Sequence, residues 1–115
     1  MFNMESFVIH KQGEEHYYVV LISNKSRVIL RGKDCSNLPE CKYLIDSIRC
    51  NATDYSKYEL KTANDGKYFF KVTGSDGNEI ARSEIFEDTA ERYAGIGLVR
   101  RTIPYAIVDD QVFAL

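Results

Sequence analysis

Two histidines near the N-terminus are the first residues whose types could do chemistry. His10 and His16 flank a predicted turn, and a hairpin there would place both rings on neighbouring strands. A metal site needs a third ligand, which Glu14 or Glu15 could supply, but this spacing matches known zinc sites only loosely. The alternative is that both histidines are polar residues at strand edges. We adopt that alternative and predict no metal site.

Three cysteines could include a nucleophile. Cysteine catalysis requires a thiolate, which a lowered pKa and a histidine partner usually provide, and nothing in the sequence supplies that context. Cys41 falls on a predicted apolar stripe of a helix, where cysteine behaves as a small hydrophobic residue. Cys35 takes another apolar position and Cys50 a surface position. The sequence therefore predicts no catalytic cysteine.

Carboxylates and glycines form no catalytic or phosphate-binding pattern. Glu14 and Glu15, the acidic residues between 84 and 88, and Asp109-Asp110 fall in predicted turns or at a helix start. Solvent and the helix dipole stabilise carboxylates at such positions. The glycines match neither a P-loop nor a dinucleotide-binding motif. We therefore predict no cofactor and no catalytic residues, and we interpret the protein as not an enzyme.

The overall composition limits the class of protein. The chain has 115 residues, enough for one domain with a modest core, and 44% of them are hydrophobic. A net charge of -2 disfavours a phosphate backbone as the main partner, because that binding depends on dense lysine and arginine. The odd cysteine count and the lack of a targeting segment or long apolar run lead us to expect a reducing, cytoplasmic location without a membrane span.

An internal repeat organises the sequence. Residues 58–108 align with residues 7–57 without a gap, and similar residues such as Leu21 and Val72 recur where a strand needs them. Each unit is predicted to form three strands, a helix and a closing strand. The predicted parts are repeat one (7–57), repeat two (58–110) and a C-terminal tail (111–115), all within one domain (1–115).

Turn and capping signals predict the positions of the elements. Asp65-Gly66 and Asp76-Gly77 are hairpin signals, and the β-branched and aromatic runs around them are typical of strands. Asn37 and Asp88 each precede a glutamate by three residues, as in a capping box that starts a helix. The predicted strands are 7–11, 16–23, 27–31, 58–62, 67–73 and 78–82, with closing strands over 53–57 and 105–110.

Two stretches of the second unit carry a resemblance to a known family. They are YELKTANDGKYFFKVTGSDGNEIARSE and AGIGLVRR, in which Ser83-Glu84 and Gly95-Ile96 match the family pattern. At these places the first unit has Gly32-Lys33 and Leu44-Ile45 instead. The sequence thus resembles the YegP-like proteins, an uncharacterised group. The resemblance implies an α+β fold in which two tandem β-β-β-α-β repeats form one antiparallel sheet, with the closing strands exchanged between repeats. It implies no activity. The apolar stripes of the two helices further lead us to predict that both helices lie on one face of that sheet.

An asymmetry between the units is the main clue to function. On the predicted sheet face away from the helices, unit one is apolar on all three strands, whereas unit two is mostly polar or charged. An antiparallel sheet covered on one side normally has a polar second face, and an exposed apolar patch marks an interface. The predicted interface residues are Val8, Tyr18, Val20, Ile22, Val28, Leu30 and Phe113.

We therefore predict a non-enzymatic binding module that forms a homodimer through this face. The C-terminal tail could instead cover the face, and a small apolar ligand is a lesser alternative. A second hypothesis is a single-stranded nucleic-acid-binding module in which Tyr18 and Phe69 act as stacking platforms. The acidic composition argues against that second hypothesis.

Overall fold

Seven strands and two main helices make up the fold. The computed structural model describes residues 5–114, with the backbone alone at 110, 111, 113 and 114. The strands are β1 Ser6–Gly13, β2 His16–Ile22, β3 Val28–Gly32, β4 Tyr58–Thr62, β5 Tyr68–Thr73, β6 Glu79–Arg82 and β7 Ile107–Ala114. The helices are α1 Leu38–Asn51 and α2 Thr89–Thr102, with a short 3-10 helix, Tyr55–Lys57, before β4. All seven strands join one sheet in the order β4-β5-β6-β3-β2-β1-β7.

The sheet is mixed, and the prediction of a wholly antiparallel sheet is wrong. Strand β1 pairs antiparallel with β2 but parallel with β7. Counting the antiparallel pairings from β1 shows that β6 runs opposite to β1, so β6 ends where β1 begins. The chain leaves the sheet there through α2 and re-enters at that same end as β7, which therefore runs in the direction of β1.

The two predicted closing strands have different outcomes. The strand after α2 lies beside β1, at the opposite edge of the sheet from β4, and residues 111–114 of the predicted tail belong to it. The strand predicted over 53–57 is wrong, because the chain forms a 3-10 turn there. The Asp54 carboxylate accepts a hydrogen bond from the Ser56 backbone N–H at 2.9 Å, which favours a turn over an extended strand.

Capping boxes start both helices, as predicted. The side chain of Asn37 accepts from the Glu40 backbone N–H at 2.9 Å, and Asp88 accepts from the Glu91 backbone N–H at 2.8 Å. Each glutamate carboxylate accepts in return from the backbone just before the cap. Neither helix in the described part of the chain is long and apolar enough to cross a membrane.

Both helices pack on the same face of the sheet and share one core. The cross-strand partners Phe7 and Leu21 point to that face in the first half of the sheet. In the other half, Phe70 and Val72, which alternate along β5, point to it as well. The described helix residues in this cluster are Cys41, Leu44, Ile45 and Ile48 from α1, and Ile96 and Val99 from α2.

Helix α2 lies so close to the Phe86 ring that only glycine fits at position 95. A Cβ atom added at Gly95 would lie 2.5 Å from the ring of Phe86, which in turn stacks on Phe70 with 6.1 Å between ring centroids. A Cβ at Gly97 would meet only the end of the Arg101 side chain, at 3.1 Å. The close approach of α2 therefore occurs at Gly95, and its partner is an aromatic ring of the loop before α2.

The two central strands, β3 and β6, place like charges opposite each other. Arg31 pairs with Arg82 in the register, an arrangement that is destabilising when uncompensated. The Glu79 carboxylate accepts from the Arg82 guanidinium at 2.8 and 2.9 Å and lies 3.2 Å from the Lys71 ammonium. The Arg82 hydrogen bonds, followed by those of Lys71, hold the pKa of Glu79 below its ordinary value.

Replacing Gly95 by alanine should destabilise the fold by about 1–3 kcal/mol, because the added methyl group overpacks the contact with Phe86. Gly97→Ala is the matched control on the same helix. Alanine is the better helix former by up to about 1 kcal/mol, and the Arg101 side chain can move aside. Urea unfolding measures both variants, and an unchanged stability of Gly95→Ala would contradict the packing argument.

Replacing Glu79 by glutamine should lower the free energy of unfolding by about 1 kcal/mol at pH 7. The folded-state pKa of Glu79 lies below its ordinary value of 4.5, so this stabilisation is present above that pH. It is lost as the pH falls through the folded-state pKa, and the two proteins should converge in acid. Urea unfolding at pH 7 and in acid tests this, with the more exposed Glu87→Gln as a near-neutral control. A difference that persists unchanged in acid would contradict the assignment.

Candidate binding surface

The candidate binding surface is the sheet face that carries no helix, which we call the open face. Cross-strand partners share a face, so the register identifies its members. In the first half they include the pairs Ser6/Ile22, Val8/Val20 and His10/Tyr18, and in the second half Glu59/Lys71 and Lys61/Phe69. The first half is thus more apolar and the second half more charged, which is the asymmetry that the sequence predicted.

The centre of the apolar half is already shielded within the single chain. Val8, Val20, Ile22 and Tyr18 lie on the open face, where the sequence placed them. However, Val8 and Val20 are each only 5% exposed. They therefore form the floor of the surface and offer little area to a partner.

The prediction that Leu30 lies on the open face is wrong. Strand β3 pairs Leu30 with Leu21 but Val28 with Ile22, so Ile29 is an extra residue and the strand contains a bulge. A bulge shifts the alternation of side chains between the two faces. Leu30 consequently packs in the core under the helices, while Val28 keeps its predicted place on the open face.

The last predicted interface residue, Phe113, lies opposite His10 in the parallel register of β7 and β1. Its side chain lies outside the described residues, so its part in an interface stays a prediction. Residues 111–114 extend the edge of the sheet instead of crossing its surface. The backbone of this part of the tail therefore does not lie across the open face.

Exposed apolar side chains form a row across one end of the open face. Val28 is 45% exposed and Ile107 is 46% exposed, and Ile22 lies between them, partly buried. The register links Val28 to Ile22, Ile22 to Ser6 and Ser6 to Ile107 across four neighbouring strands. We call Ile22, Val28 and Ile107 the apolar rim. The sequence reasoning missed Ile107, because its place on the open face depends on the parallel pairing of β7.

Arginines cover the aromatic rings that were expected to act as stacking platforms. The Tyr18 ring lies between two side chains of the neighbouring strands. The His10 ring of β1 stacks on it with 5.0 Å between ring centroids, and the Arg31 guanidinium of β3 lies 4.1 Å from its centroid on the other side. The guanidinium of Arg82 lies 5.3 Å from the centre of the Phe69 ring. Both faces of Tyr18 are therefore in use within the protein.

The two histidines have different partners. His10 stacks on Tyr18, whereas His16 Nε2 lies 3.2 Å from a carboxylate oxygen of Asp34. Among the residues that the structure describes, no group of three or more His, Cys, Asp or Glu side chains is arranged to hold a metal ion. The geometry therefore gives no support to the metal alternative for this pair.

Two of the three cysteines lack the properties of an activated nucleophile. Burial is the main cause that raises the pKa of the Cys35 thiol to about 12, and burial also raises the pKa of Cys41. Such thiols hold little thiolate at neutral pH. Cys41 lies on the buried stripe of α1 and Cys50 is exposed, as the sequence predicted.

Comparison with known proteins finds relatives over nearly the whole chain. A family model described as a domain of unknown function, DUF1508, matches residues 63–110, which contain β5, β6 and α2. A UPF0339 protein of Bordetella pertussis is 30% identical over 111 residues, which cover 96% of this chain and 100% of the relative. The UPF0339 protein YegP of Escherichia coli is 26% identical over 94 residues, which cover 82% of this chain and 86% of YegP.

Two solved structures share the fold. The solution NMR structure of YegP from Escherichia coli matches with a TM-score of 0.86 and 23% identity over 97% of both chains. The UPF0339 protein of Shewanella oneidensis matches with a TM-score of 0.80 and 20% identity over 96% of this chain and 91% of that one. At these identities the structural likeness shows the fold alone. The full-length match to the Bordetella protein shows the family, and the chain belongs to the uncharacterised UPF0339 family of YegP-like proteins.

Proposed function

We propose that the protein is a non-enzymatic binding module whose partner is a second copy of the chain, bound through the apolar end of the open face. The observation that carries this proposal is the apolar rim. Val28 and Ile107 stand exposed on the face away from the helices, with the partly buried Ile22 between them and the buried floor of Val8 and Val20 beside them. Exposed apolar groups concentrated in one patch are typical of protein interfaces.

A two-fold contact suits this distribution of side chains. In a symmetric dimer the same patch packs on itself, so the rim of one copy would cover the rim of the other. The charged half of the open face, with Glu59, Lys61 and Lys71, would stay at the solvated periphery. The interface is narrower than the sequence predicted, because Leu30 is absent from it and Val8 and Val20 are already covered.

We also infer that the two halves of the chain derive from one duplicated unit. Residues 51 positions apart have matching roles: the isolated bridge Tyr17/Cys35 recurs as Tyr68/Phe86, and the bulge at Ile29 recurs at Ile80. The helix caps Asn37 and Asp88 match in the same way. These correspondences support a repeat more strongly than the few identical residues do.

The proposed location is the cytoplasm. Cys35, Cys41 and Cys50 are all free thiols, and unpaired cysteines are typical of reducing compartments. Two of them are buried, where a disulfide partner from another molecule could not reach them.

Single-stranded nucleic-acid binding is the second candidate. One observation favours it: Lys71, Arg82 and Arg31 follow each other across three adjacent strands near the two aromatic rings. The arginines already cover those rings. Two carboxylates offset part of the row's positive charge: Glu79 lies beside Lys71 and Arg82, and Asp34 lies 3.5 Å from Arg31. The geometry therefore supports this candidate less well than self-association.

Replacing Val28 and Ile107 together by lysine should convert the dimer to a monomer, because each change removes apolar contact area and places a charge in the interface. The expected loss is about 100-fold or more in dimer affinity, measured by sedimentation equilibrium over a concentration series. Leu60→Lys is the matched control, since Leu60 is 43% exposed but lies in the edge strand β4 of the other half. A wild-type protein that stays monomeric up to roughly 1 mM, or a double variant with unchanged mass, would refute the proposal.

Fluorescence anisotropy with a labelled single-stranded oligonucleotide separates the second candidate from the first. We expect no salt-dependent binding to the wild-type protein, because Glu79 and Asp34 offset two of the three positive charges of the basic row. Binding that weakens with added salt and is reduced by Arg31→Gln would favour the nucleic-acid candidate instead.

A further inference from the structure

The helix side of the molecule contains two clefts in corresponding places, one against each helix. The α2 cleft has a volume of about 340 Å³ and lies between α2, the end of β6 and the start of β3. The α1 cleft, of about 150 Å³, lies between α1, the end of β3 and the start of β6. The first volume falls at the lower end of the ~300–1,000 Å³ range of small-molecule sites, whereas the second is well below it.

The residues that line the two clefts correspond at an offset of 51 positions. Ile29 of the α2 cleft corresponds to Ile80 of the α1 cleft, and Glu91 corresponds to Glu40. The helices differ where Ala94 and Gly95 of α2 take the places of Tyr43 and Leu44 of α1. The two small residues on α2 leave room that larger side chains restrict in the other cleft.

Charged groups stand at the mouth of the α2 cleft. The Arg27 guanidinium donates to both carboxylate oxygens of Glu84, at 3.2 and 2.6 Å. The hydrogen bonds and the charge of Glu84 are the main causes that raise the pKa of Arg27, and the charge of the Glu91 carboxylate raises it further. Glu91 therefore acts electrostatically on the same guanidinium as Glu84. Two carboxylates against one guanidinium leave the mouth with an excess negative charge. Ile29, Phe86 and Leu98 form an apolar floor, of which Leu98 is the more exposed member because Ile29 and Phe86 are only 3% and 5% exposed.

The two residue pairs that carry the family resemblance both shape this cleft. The Ser83 hydroxyl accepts from the Phe70 backbone N–H at 2.9 Å and donates to the Glu84 carbonyl at 2.7 Å, so it positions the loop that presents the Glu84 carboxylate. Gly95 lets the Phe86 ring lie against α2 as part of the floor. The Arg27–Glu84 pair ties two loops together, and the capping bond from the Glu87 backbone N–H engages one oxygen of Glu91. Neither structural role accounts for the open volume of the cleft.

We propose that the α2 cleft binds a small organic cation: an ammonium group on a short aromatic or aliphatic body. The ammonium would donate to the carboxylates of Glu84 and Glu91, each of which has several acceptor positions. The apolar body would lie on the floor of Ile29, Phe86 and Leu98. This site is on the opposite side of the sheet from the apolar rim, so it can succeed or fail independently of the proposed self-association.

The experiment is an amide chemical-shift titration of the full chain with three probes of similar shape: benzylamine, benzyl alcohol and benzoate. We expect benzylamine to cause saturable shifts at Glu84, Phe86 and Gly95, and the neutral and anionic probes to cause none at the same concentrations. Saturable shifts with benzoate instead would overturn the proposal in favour of an anion bound by Arg27. Equal responses to all three probes would mean that the cleft binds only their shared apolar body, and that result would also overturn the proposal.

Two variants and a control test the assignment of residues. Glu84→Gln should raise the Kd for benzylamine about ten-fold, as expected for the loss of one charge-assisted hydrogen bond. Ala94→Tyr, which installs the residue of the α1 cleft, should abolish the shifts while the remaining amide spectrum stays that of the folded protein. Glu40→Gln, at the corresponding position of the α1 cleft, should leave the Kd unchanged. If Ala94→Tyr does not fold, Glu84→Gln still decides, and an unchanged Kd in that variant would overturn the proposal.

Discussion

The short pairing between β3 and β6 is the join on which the rest of the structure depends. It has only two registered pairs, Arg31/Arg82 and Gly32/Ala81, so its backbone hydrogen bonds alone contribute little. Packing of α1 on the helix side of the sheet stabilises this short pairing. Gly32 and Ala81 are small, and α1 contacts strands on both sides of the join. A Cβ atom added at Gly32 would lie 2.8 Å from the Leu44 side chain, which shows how closely the helix approaches there.

The same helix also holds the far edge of the sheet in place. Arg49 of α1 donates to the backbone carbonyls of Ile103 and Ala106, where α2 ends and β7 is about to begin. Its guanidinium lies 5.1 Å from the centre of the Phe7 ring in β1. One side chain therefore links the first helix to the strand pair β1–β7. The open face depends on this arrangement, because the apolar rim needs Ile107 to lie beside Ser6.

Local signals in the sequence predicted most of the elements. The strand predicted over 53–57 failed for a local reason, the turn that starts at Asp54, whereas the other failures arise where the cause is not local. Hairpin glycines and capping boxes act within a few residues, so the strands and both helix starts could be predicted. Leu30 was assigned to the wrong face because strict alternation cannot anticipate a bulge. The direction of β7 depends on the path of α2 across the sheet, and no residue within β7 encodes it.

The candidate surface was predictable in outline but not in its exposed area. The apolar and charged halves follow directly from residue types on alternating positions. The shielding of Val8 and Val20 depends on how the rest of the chain covers them, which composition does not reveal. The α2 cleft was not predicted at all, since it arises where Ala94 and Gly95 replace Tyr43 and Leu44 on helices whose capping residues are alike.

The parallel pairing of β1 with β7 has a consequence for how the molecule is made. Strand β1 leaves the ribosome well before β7, so its outer hydrogen-bonding groups have no strand to pair with until β7 emerges after α2. Contacts this distant along the chain require closure of a long loop and tend to form late. During synthesis the nascent chain therefore presents an open β-edge, which is the kind of surface that molecular chaperones and neighbouring nascent chains encounter first.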